Sequence, residues 1–177
     1  MNNSTSSLPA AELEPEVTIR INGRDVTRRV DARMHLVDFL RNELDLTASH
    51  VGCEHGVCGA CTVRVNGDIV RGCLVLAASL QGARVDTLEG LTASGELAEL
   101  QDAFVRHNAL QCGYCTPGML LCAQELLERK PTVDRAAIRE HISGNYCRCT
   151  GYHAIVSAIA EVAARKLPAP AAPTKVA

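Results

Sequence analysis

Alternating apolar and polar positions open the ordered part of the chain. Residues 17–21 are apolar at every second position, and the pair Asn22-Gly23 separates them from a second run over residues 25–30. An Asn-Gly pair between two such runs is typical of a β-hairpin, because both turn positions of the tight two-residue loop take positive φ. The pattern therefore predicts an N-terminal hairpin.

Helical periodicity follows this hairpin. Apolar residues fall on one face between residues 36 and 44, and Asp31 or a residue near it is placed to cap the approach. This segment predicts a crossover helix.

A second Asn-Gly pair, at Asn66-Gly67, joins residues 62–65 to residues 69–71 and predicts a second hairpin that carries the chain back toward Cys73. Residues 74–80 and 84–88 are predicted as further strand. A small α+β unit ending near residue 90 results.

From residue 92 onward the pattern is helical. Apolar residues recur at helical spacing in four segments, at residues 96–107, 117–129, 133–142 and 153–166. We expect Thr116 to be the N-cap of the second segment, with Pro117 at its first helical position, where the missing N–H costs nothing. Pro131-Thr132 separates the second helix from the third.

The two ends of the chain lack these patterns. Residues 1–16 are rich in Ser, Ala, Pro and Glu, and residues 167–177 in Pro and Ala, so both are predicted to be disordered tails. The remainder divides into predicted domains at residues 17–91 and 92–166.

Composition excludes several classes of protein. The net charge of −2, the interspersed charges and the absence of tryptophan give no basic stripe or stacking platform, so we expect no nucleic-acid partner. Apolar stretches fall short of the ~20 residues that span a bilayer. We expect no export signal, because the N-terminus lacks a basic and an apolar region and Arg28-Arg29 is followed by Val-Asp-Ala-Arg instead of an apolar run. We therefore expect a cytoplasmic protein.

Four of the nine cysteines form a first cysteine set. Their C-x4-C-x2-C spacing and distant fourth member match the plant-type pattern for a 2Fe-2S cluster held by four thiolates. Gly52, Gly56 and Gly59 allow the loop to turn tightly and bring backbone N–H groups close to sulfur. The members of the first cysteine set are Cys53, Cys58, Cys61 and Cys73.

Two other interpretations of these thiols are open. Zinc also takes four thiolates, but its sites usually combine two short C-x2-4-C knuckles. A disulfide framework needs an oxidising compartment, and a chain of 177 residues does not depend on such cross-links.

A second cysteine set lies in the helical half. It consists of a C-x2-C pair and a C-x-C pair, and each pair precedes a predicted helix, whose N-terminal N–H groups favour negative charge. Taken alone this set also suits zinc. Beside the first set, it indicates two steps of an electron path. Its members are Cys112, Cys115, Cys147 and Cys149, which leaves Cys122 as a buried apolar residue.

Three segments resemble one family. Residues 53–62 (CEHGVCGACT), 111–119 (QCGYCTPGM) and 144–152 (GNYCRCTGY) are similar to the small iron-sulfur subunit of the molybdenum hydroxylases, the xanthine oxidase family. The resemblance covers residues 17–164. It implies a β-grasp ferredoxin-like domain followed by a four-helix domain, each with one 2Fe-2S cluster.

The resemblance also implies partners. These are a large subunit with a molybdenum-pterin cofactor, commonly in its cytosine dinucleotide form, and a medium subunit with FAD, assembled as a dimer of heterotrimers. Gln111 and Cys149 map onto the residues that face the pterin in this family. Electrons would pass from molybdenum through the second cysteine set, then the first, to FAD, and this chain would hold no catalytic residue.

Two rivals to this interpretation remain. One is an independent two-cluster ferredoxin that serves several partners, and the other is a zinc-stabilised interaction module. His50, His55 and His153 flank the cysteines, but each set already has four thiolates and a Rieske-type centre needs two histidines on one iron. We interpret them as loop and surface residues. The substrate of the complex lies beyond the sequence, because the pocket is expected in another chain.

Overall fold

The computed structural model describes residues 14–130 and 132–166. Residues 1–13 and 167–177, which hold most of the two predicted tails, and Pro131, expected to end a helix, lie outside the described residues. The first strand begins at Glu16, inside the stretch predicted as tail.

The N-terminal half is a five-stranded mixed sheet. Its strand order is β2-β1-β5-β3-β4, with β1 parallel to β5 and the other pairs antiparallel, which is the β-grasp arrangement. Both Asn-Gly hairpins are confirmed, since Asn22 and Asn66 lie at positive φ between paired strands. The strands are β1 (Glu16–Ile21), β2 (Arg24–Arg29), β3 (Thr62–Val65), β4 (Asp68–Arg71) and β5 (Arg84–Asp86).

The crossover helix α1 is confirmed, but its geometry differs from the prediction. It is α-helical at Leu36–Asp38 and π-helical at Phe39–Glu43, as short helical insertions sometimes are. Its N-cap is His35, which makes no side-chain capping bond. The prediction that Asp31 or a residue near it caps this helix is wrong, because the Asp31 carboxylate accepts a 2.7 Å bond from the Arg33 N–H in a local turn.

Residues 74–80 are not the predicted strand. Short 3-10 turns occupy Gly72–Leu74 and Ala77–Ser79, and of residues 84–88 only Arg84–Asp86 is strand. The Leu36 N–H donates to the Val75 carbonyl at 2.7 Å, so this segment bonds to the start of α1 instead of a sheet. Its nearly continuous apolar run is misleading because some of these residues, such as Leu74, face outward.

Helices joined by loops make up the rest of the described residues, as predicted. The Thr116 N-cap is wrong, since Cys115 is the N-cap and the buried Thr116 hydroxyl makes no hydrogen bond within the described residues. Asp134 caps the next helix by accepting a 2.7 Å bond from the Ala137 N–H, so that helix starts two residues later than expected. The helices are α2 (Leu88–Ala93), α3 (Ala98–Arg106), α4 (Thr116–Arg129), α5 (Arg135–Ile142) and α6 (His153–Lys166).

The two largest hydrophobic clusters of the described residues form the cores of the α+β fold. One lies between the sheet and α1 and includes Ile19, Phe39 and Val85. The other lies among the helices, where α3 packs on α6 and α4 on α5. Across residues 14–130 and 132–166, no helix combines the length and apolar character that crossing a membrane would need.

Candidate functional site

The loop before β3 wraps the first cysteine set with backbone donors. The N–H groups of His55 and Cys58 each lie 3.4 Å from the Cys53 Sγ. The Gly56 N–H lies 3.3 Å from the Cys73 Sγ, so the β3–β4 hairpin does return Cys73 to the loop. The loop thus directs several N–H groups at sulfur, as a thiolate-held cluster requires.

These donors and burial act on the thiols in opposite directions. The backbone N–H groups of Cys58 and His55 lower the pKa of Cys53 to about 6, because they stabilise its thiolate. Burial raises the pKa of Cys61 to about 11, and that of Cys58 also rises through burial. The thiols lie in neighbouring pairs, Cys53 with Cys58 and Cys61 with Cys73.

Two glycines in this loop are structurally required. Gly56 and Gly59 have φ of +75° and +78°, which other residues adopt at a cost. A Cβ on Gly56 would lie 2.3 Å from the Leu74 side chain, and one on Gly59 would lie 2.0 Å from Asn145 Oδ1. The loop therefore passes close to its neighbours, including a residue of the helical half.

The second cysteine set also consists of two pairs. Cys149 Sγ lies 3.5 Å from Cys112 Sγ, and both residues are exposed. Cys115 lies beside Cys147, and burial raises the pKa of Cys115 to about 12. Burial acts to raise the pKa of Cys147 as well, but hydrogen bonds from Thr150, Cys149 and Cys115 together outweigh burial and the pKa is lowered.

This arrangement fits a two-iron cluster better than a single ion. A structural zinc needs four ligands around one centre, whereas a 2Fe-2S cluster takes two ligands on each of two irons. The paired thiols in each set, with their N–H donors, match the two ligands that each iron of a 2Fe-2S cluster takes.

Direct contacts join the two cysteine sets. The Tyr146 N–H donates to the Cys58 carbonyl at 2.8 Å, and the Tyr114 hydroxyl donates to the Val51 carbonyl at 2.8 Å. The His50 ring stacks on Tyr114 with ring centroids 4.4 Å apart. His50 therefore packs between the halves.

The structure also places four other residues that the sequence analysis considered. His55 contacts the backbone carbonyl of Cys53 through Nδ1, and His153 is exposed at the start of α6. Gln111 is exposed beside Cys112. The thiol of Cys122 is buried, as predicted.

Sequence reasoning missed three residues at this junction. Asn145 is 1% exposed and its amide makes no hydrogen bond within the described residues. A Cβ on Gly118 would lie 2.4 Å from the Gly59 carbonyl oxygen. Arg71 donates to the Gly144 carbonyl at 2.9 Å. Their positions beside cysteines, within or next to the motifs, were the available signal.

Comparison with protein families defines the class of protein. Residues 19–91 match the model of a 2Fe-2S iron-sulfur cluster binding domain, and residues 87–160 match that of a second 2Fe-2S binding domain. The chain is thus a two-domain iron-sulfur protein of the 2Fe-2S type.

Individual relatives narrow this class. The chain is 50% identical to the nicotine 6-hydroxylase small subunit of Paenarthrobacter nicotinovorans, over 85% of this chain and 91% of that protein. It is 48% identical to caffeine dehydrogenase subunit gamma of Pseudomonas sp. (strain CBB1), over 82% and 89%. The crystal structure of quinoline 2-oxidoreductase from Pseudomonas putida 86 superposes with a TM-score of 0.80 at 46% identity, over 86% of this chain and 98% of that one.

These findings confirm the resemblance drawn from the motifs. The chain belongs to the small iron-sulfur subunits of the molybdenum hydroxylases, the xanthine oxidase family. It is the electron-transfer subunit of an oxidoreductase, and the independent ferredoxin is not favoured.

Proposed function

We propose that the two cysteine sets each hold one 2Fe-2S cluster. Cys53 and Cys58 would share one iron of the first cluster, and Cys61 and Cys73 the other. In the second cluster the pairs are Cys112 with Cys149 and Cys115 with Cys147. The neighbouring positions of these thiols support the assignment.

We infer the order of electron transfer from the resemblance to the family, and exposure and contact support it. Cys112, Cys149 and Gln111 are exposed together, and we place them toward the pterin of a large molybdenum-containing subunit. The Tyr146–Cys58 hydrogen bond of 2.8 Å then connects the second cysteine set to the first, and this is the observation that carries the proposal. From the first set electrons would leave to FAD in a medium subunit.

The chain itself performs no substrate chemistry in this scheme. Its residues hold the clusters, supply N–H groups to sulfur and present one cluster to each partner. Each bound cluster would accept and release one electron at a time. We propose a large subunit with the cytosine dinucleotide form of the pterin, an FAD subunit, and a dimer of heterotrimers, without nucleic acid.

A reducing compartment suits this role. All nine cysteines are free thiols in the structure, although several lie close enough to contact one another. Disulfides persist mainly in oxidising compartments. We therefore place the complex in the cytoplasm.

The relatives suggest a substrate class for the complex. Three of them, at 46–50% identity, are named for nicotine, caffeine and quinoline, all N-heterocyclic compounds. The aldehyde oxidoreductase subunit PaoA of Escherichia coli (strain K12) is 41% identical. We propose an N-heterocyclic substrate. Reduction of an artificial acceptor by the purified complex with quinoline, but not with benzaldehyde, would support it, and the reverse would contradict it.

Metal analysis tests the cluster assignment first. Anaerobically purified protein should contain about four iron and four sulfide per chain and show two EPR signals after dithionite reduction, because two clusters each accept one electron. Zinc without sulfide would overturn the proposal. Iron at half this level with one signal would show that the second cysteine set is misassigned.

Co-purification tests the partners. A tagged chain expressed with its neighbouring genes should bring down two further chains, one with molybdenum and one with FAD, in equal amounts. Isolation of the tagged chain alone, with both clusters intact and reducing several unrelated acceptors, would favour an independent carrier.

A further inference from the structure

Arg71 lies between the two cysteine sets. It ends β4 opposite Thr62 on β3, two residues before Cys73. Its guanidinium donates one hydrogen bond to the Thr62 hydroxyl and another, of 2.9 Å, to the Gly144 carbonyl. Thr62 directly follows Cys61, and Gly144 lies in the loop that leads to Cys147. One side chain thus bridges the loops of both sets.

The charge of Arg71 is not neutralised locally. Both acceptors are uncharged, and in the described part of the chain no carboxylate lies within ion-pair distance of its guanidinium. The nearby half-buried Arg64 shows the contrast, since its guanidinium lies 2.6 Å from Glu96 and 3.3 Å from Asp86. The half-buried position of Arg71 makes an unpaired cation costly, unless another anion offsets it.

The buried carboxylate nearest this region is already engaged. Glu125 lies 2.9 Å from Arg129 and 3.2 Å from His141. It contributes to the surroundings of Cys122, as Arg71 does. Glu125 therefore already has Arg129 as its cation, and the printed contacts of Arg71 are the two uncharged loops that carry the cysteine sets.

We propose that Arg71 is a positioning residue that acts as a shared counter-charge for both 2Fe-2S clusters and favours the reduced form of each. This inference rests on the proposed function. Two ferric ions, two sulfides and four thiolates carry a net negative charge, which increases by one when an electron enters. A fixed cation beside both clusters attracts the reduced form more strongly than the oxidised form, through a partly shielding medium. Its two hydrogen bonds hold it between the loops.

Redox titration of the assembled complex, followed by EPR, tests this role. The Arg71→Gln variant should lower the equilibrium constant for reduction of each cluster about tenfold. For a one-electron couple this lowers each midpoint potential by about 59 mV. Arg71→Lys keeps the charge, so both midpoint potentials should stay close to their wild-type values. Arg29→Gln removes an exposed cation from β2, at the opposite edge of the sheet, and should shift neither.

Each outcome decides the matter. Unchanged potentials in an Arg71→Gln complex with full iron content would overturn the inference, as would equal shifts in the Gln and Lys variants, because geometry and not charge would then be responsible. If the Arg71→Gln variant loses iron, the titration is repeated with Arg71→Met, which is also neutral and of similar length. The same decrease in both midpoint potentials is expected. Absence of clusters from the wild-type chain would instead overturn the proposed function.

Discussion

The backbone N–H of Tyr146 donates a hydrogen bond of 2.8 Å to the carbonyl oxygen of Cys58. Cys58 belongs to the first cysteine set, and Tyr146 directly precedes Cys147 of the second. One hydrogen bond therefore connects the loops of two candidate clusters through a short run of backbone. The Tyr146 side chain is 56% exposed, so the connection depends on the amide and not on the ring.

Removing the N–H of Tyr146 should weaken the connection between the two cysteine loops. The Tyr146→Pro variant lacks the N–H, so we expect a loss of about 1 kcal/mol in the free energy of unfolding and slower electron transfer between the clusters. Thermal unfolding and freeze-quench EPR measure the two effects. Tyr146→Leu keeps the amide and should behave as wild type. Equal transfer rates in the Pro and Leu variants, both with full iron, would refute the connection.

Gly118 should not tolerate a methyl group. A Cβ at this position would lie 2.4 Å from the Gly59 carbonyl oxygen, a backbone atom of the other half that moves only at a cost. Gly118→Ala should therefore destabilise the protein by about 1–3 kcal/mol, although Ala usually favours a helix by about 1 kcal/mol.

Denaturant unfolding of the Gly118→Ala variant measures this effect. Ala136→Gly, at an exposed position of α5, provides the control for helix propensity alone and should cost about 1 kcal/mol or less. A stabilised Gly118→Ala protein would show that the two halves are not in close contact at this point.

Cys122 and Cys147 should respond differently to removal of their thiols. Cys122 is 2% exposed on α4, so Cys122→Ala should lower the free energy of unfolding by about 1 kcal/mol through a small cavity and keep both EPR signals. Cys147→Ala should abolish one signal and halve the iron content. Iron analysis and EPR on both variants check this. Loss of a signal in Cys122→Ala alone would reverse the assignment.

The ion pair between Arg64 and Glu96 should make stability depend on pH. Arg64 donates bonds of 2.6 and 3.0 Å to the two oxygens of Glu96 and lowers the pKa of that carboxyl. A carboxyl whose folded-state pKa is lowered stabilises the fold above its unfolded pKa of ~4.3, and the effect disappears as pH falls through the folded value.

The Glu96→Gln variant should therefore lose about 1 kcal/mol in the free energy of unfolding at pH 7. This difference from wild type should shrink below about pH 4. Denaturant unfolding across this pH range is the measurement. Glu99→Gln, on the exposed face of α3, should change stability little at pH 7. A Glu96→Gln deficit that persists at pH 3 would show that the lost contribution is packing and not charge.

Local patterns were a reliable guide where local forces decide the structure. The Asn-Gly pairs at Asn22 and Asn66 predicted both hairpins because the turn conformation depends on those residues themselves. The helix His153–Lys166 has the bounds predicted from its periodicity. The strand predicted for residues 74–80 is wrong because this apolar run has outward-facing side chains and bonds to the start of α1, a segment distant in sequence.

The sequence by itself determined the fold class, the family and the eight candidate cysteines, because ligand spacing and turn residues are encoded over short distances. Only the tertiary structure decided which thiols are neighbours, that Tyr146 bonds to Cys58, and that Arg71 reaches Gly144. The physical reason is that these contacts join segments far apart in the chain. Packing of the helical half against the sheet brings them together, and no local pattern records that packing.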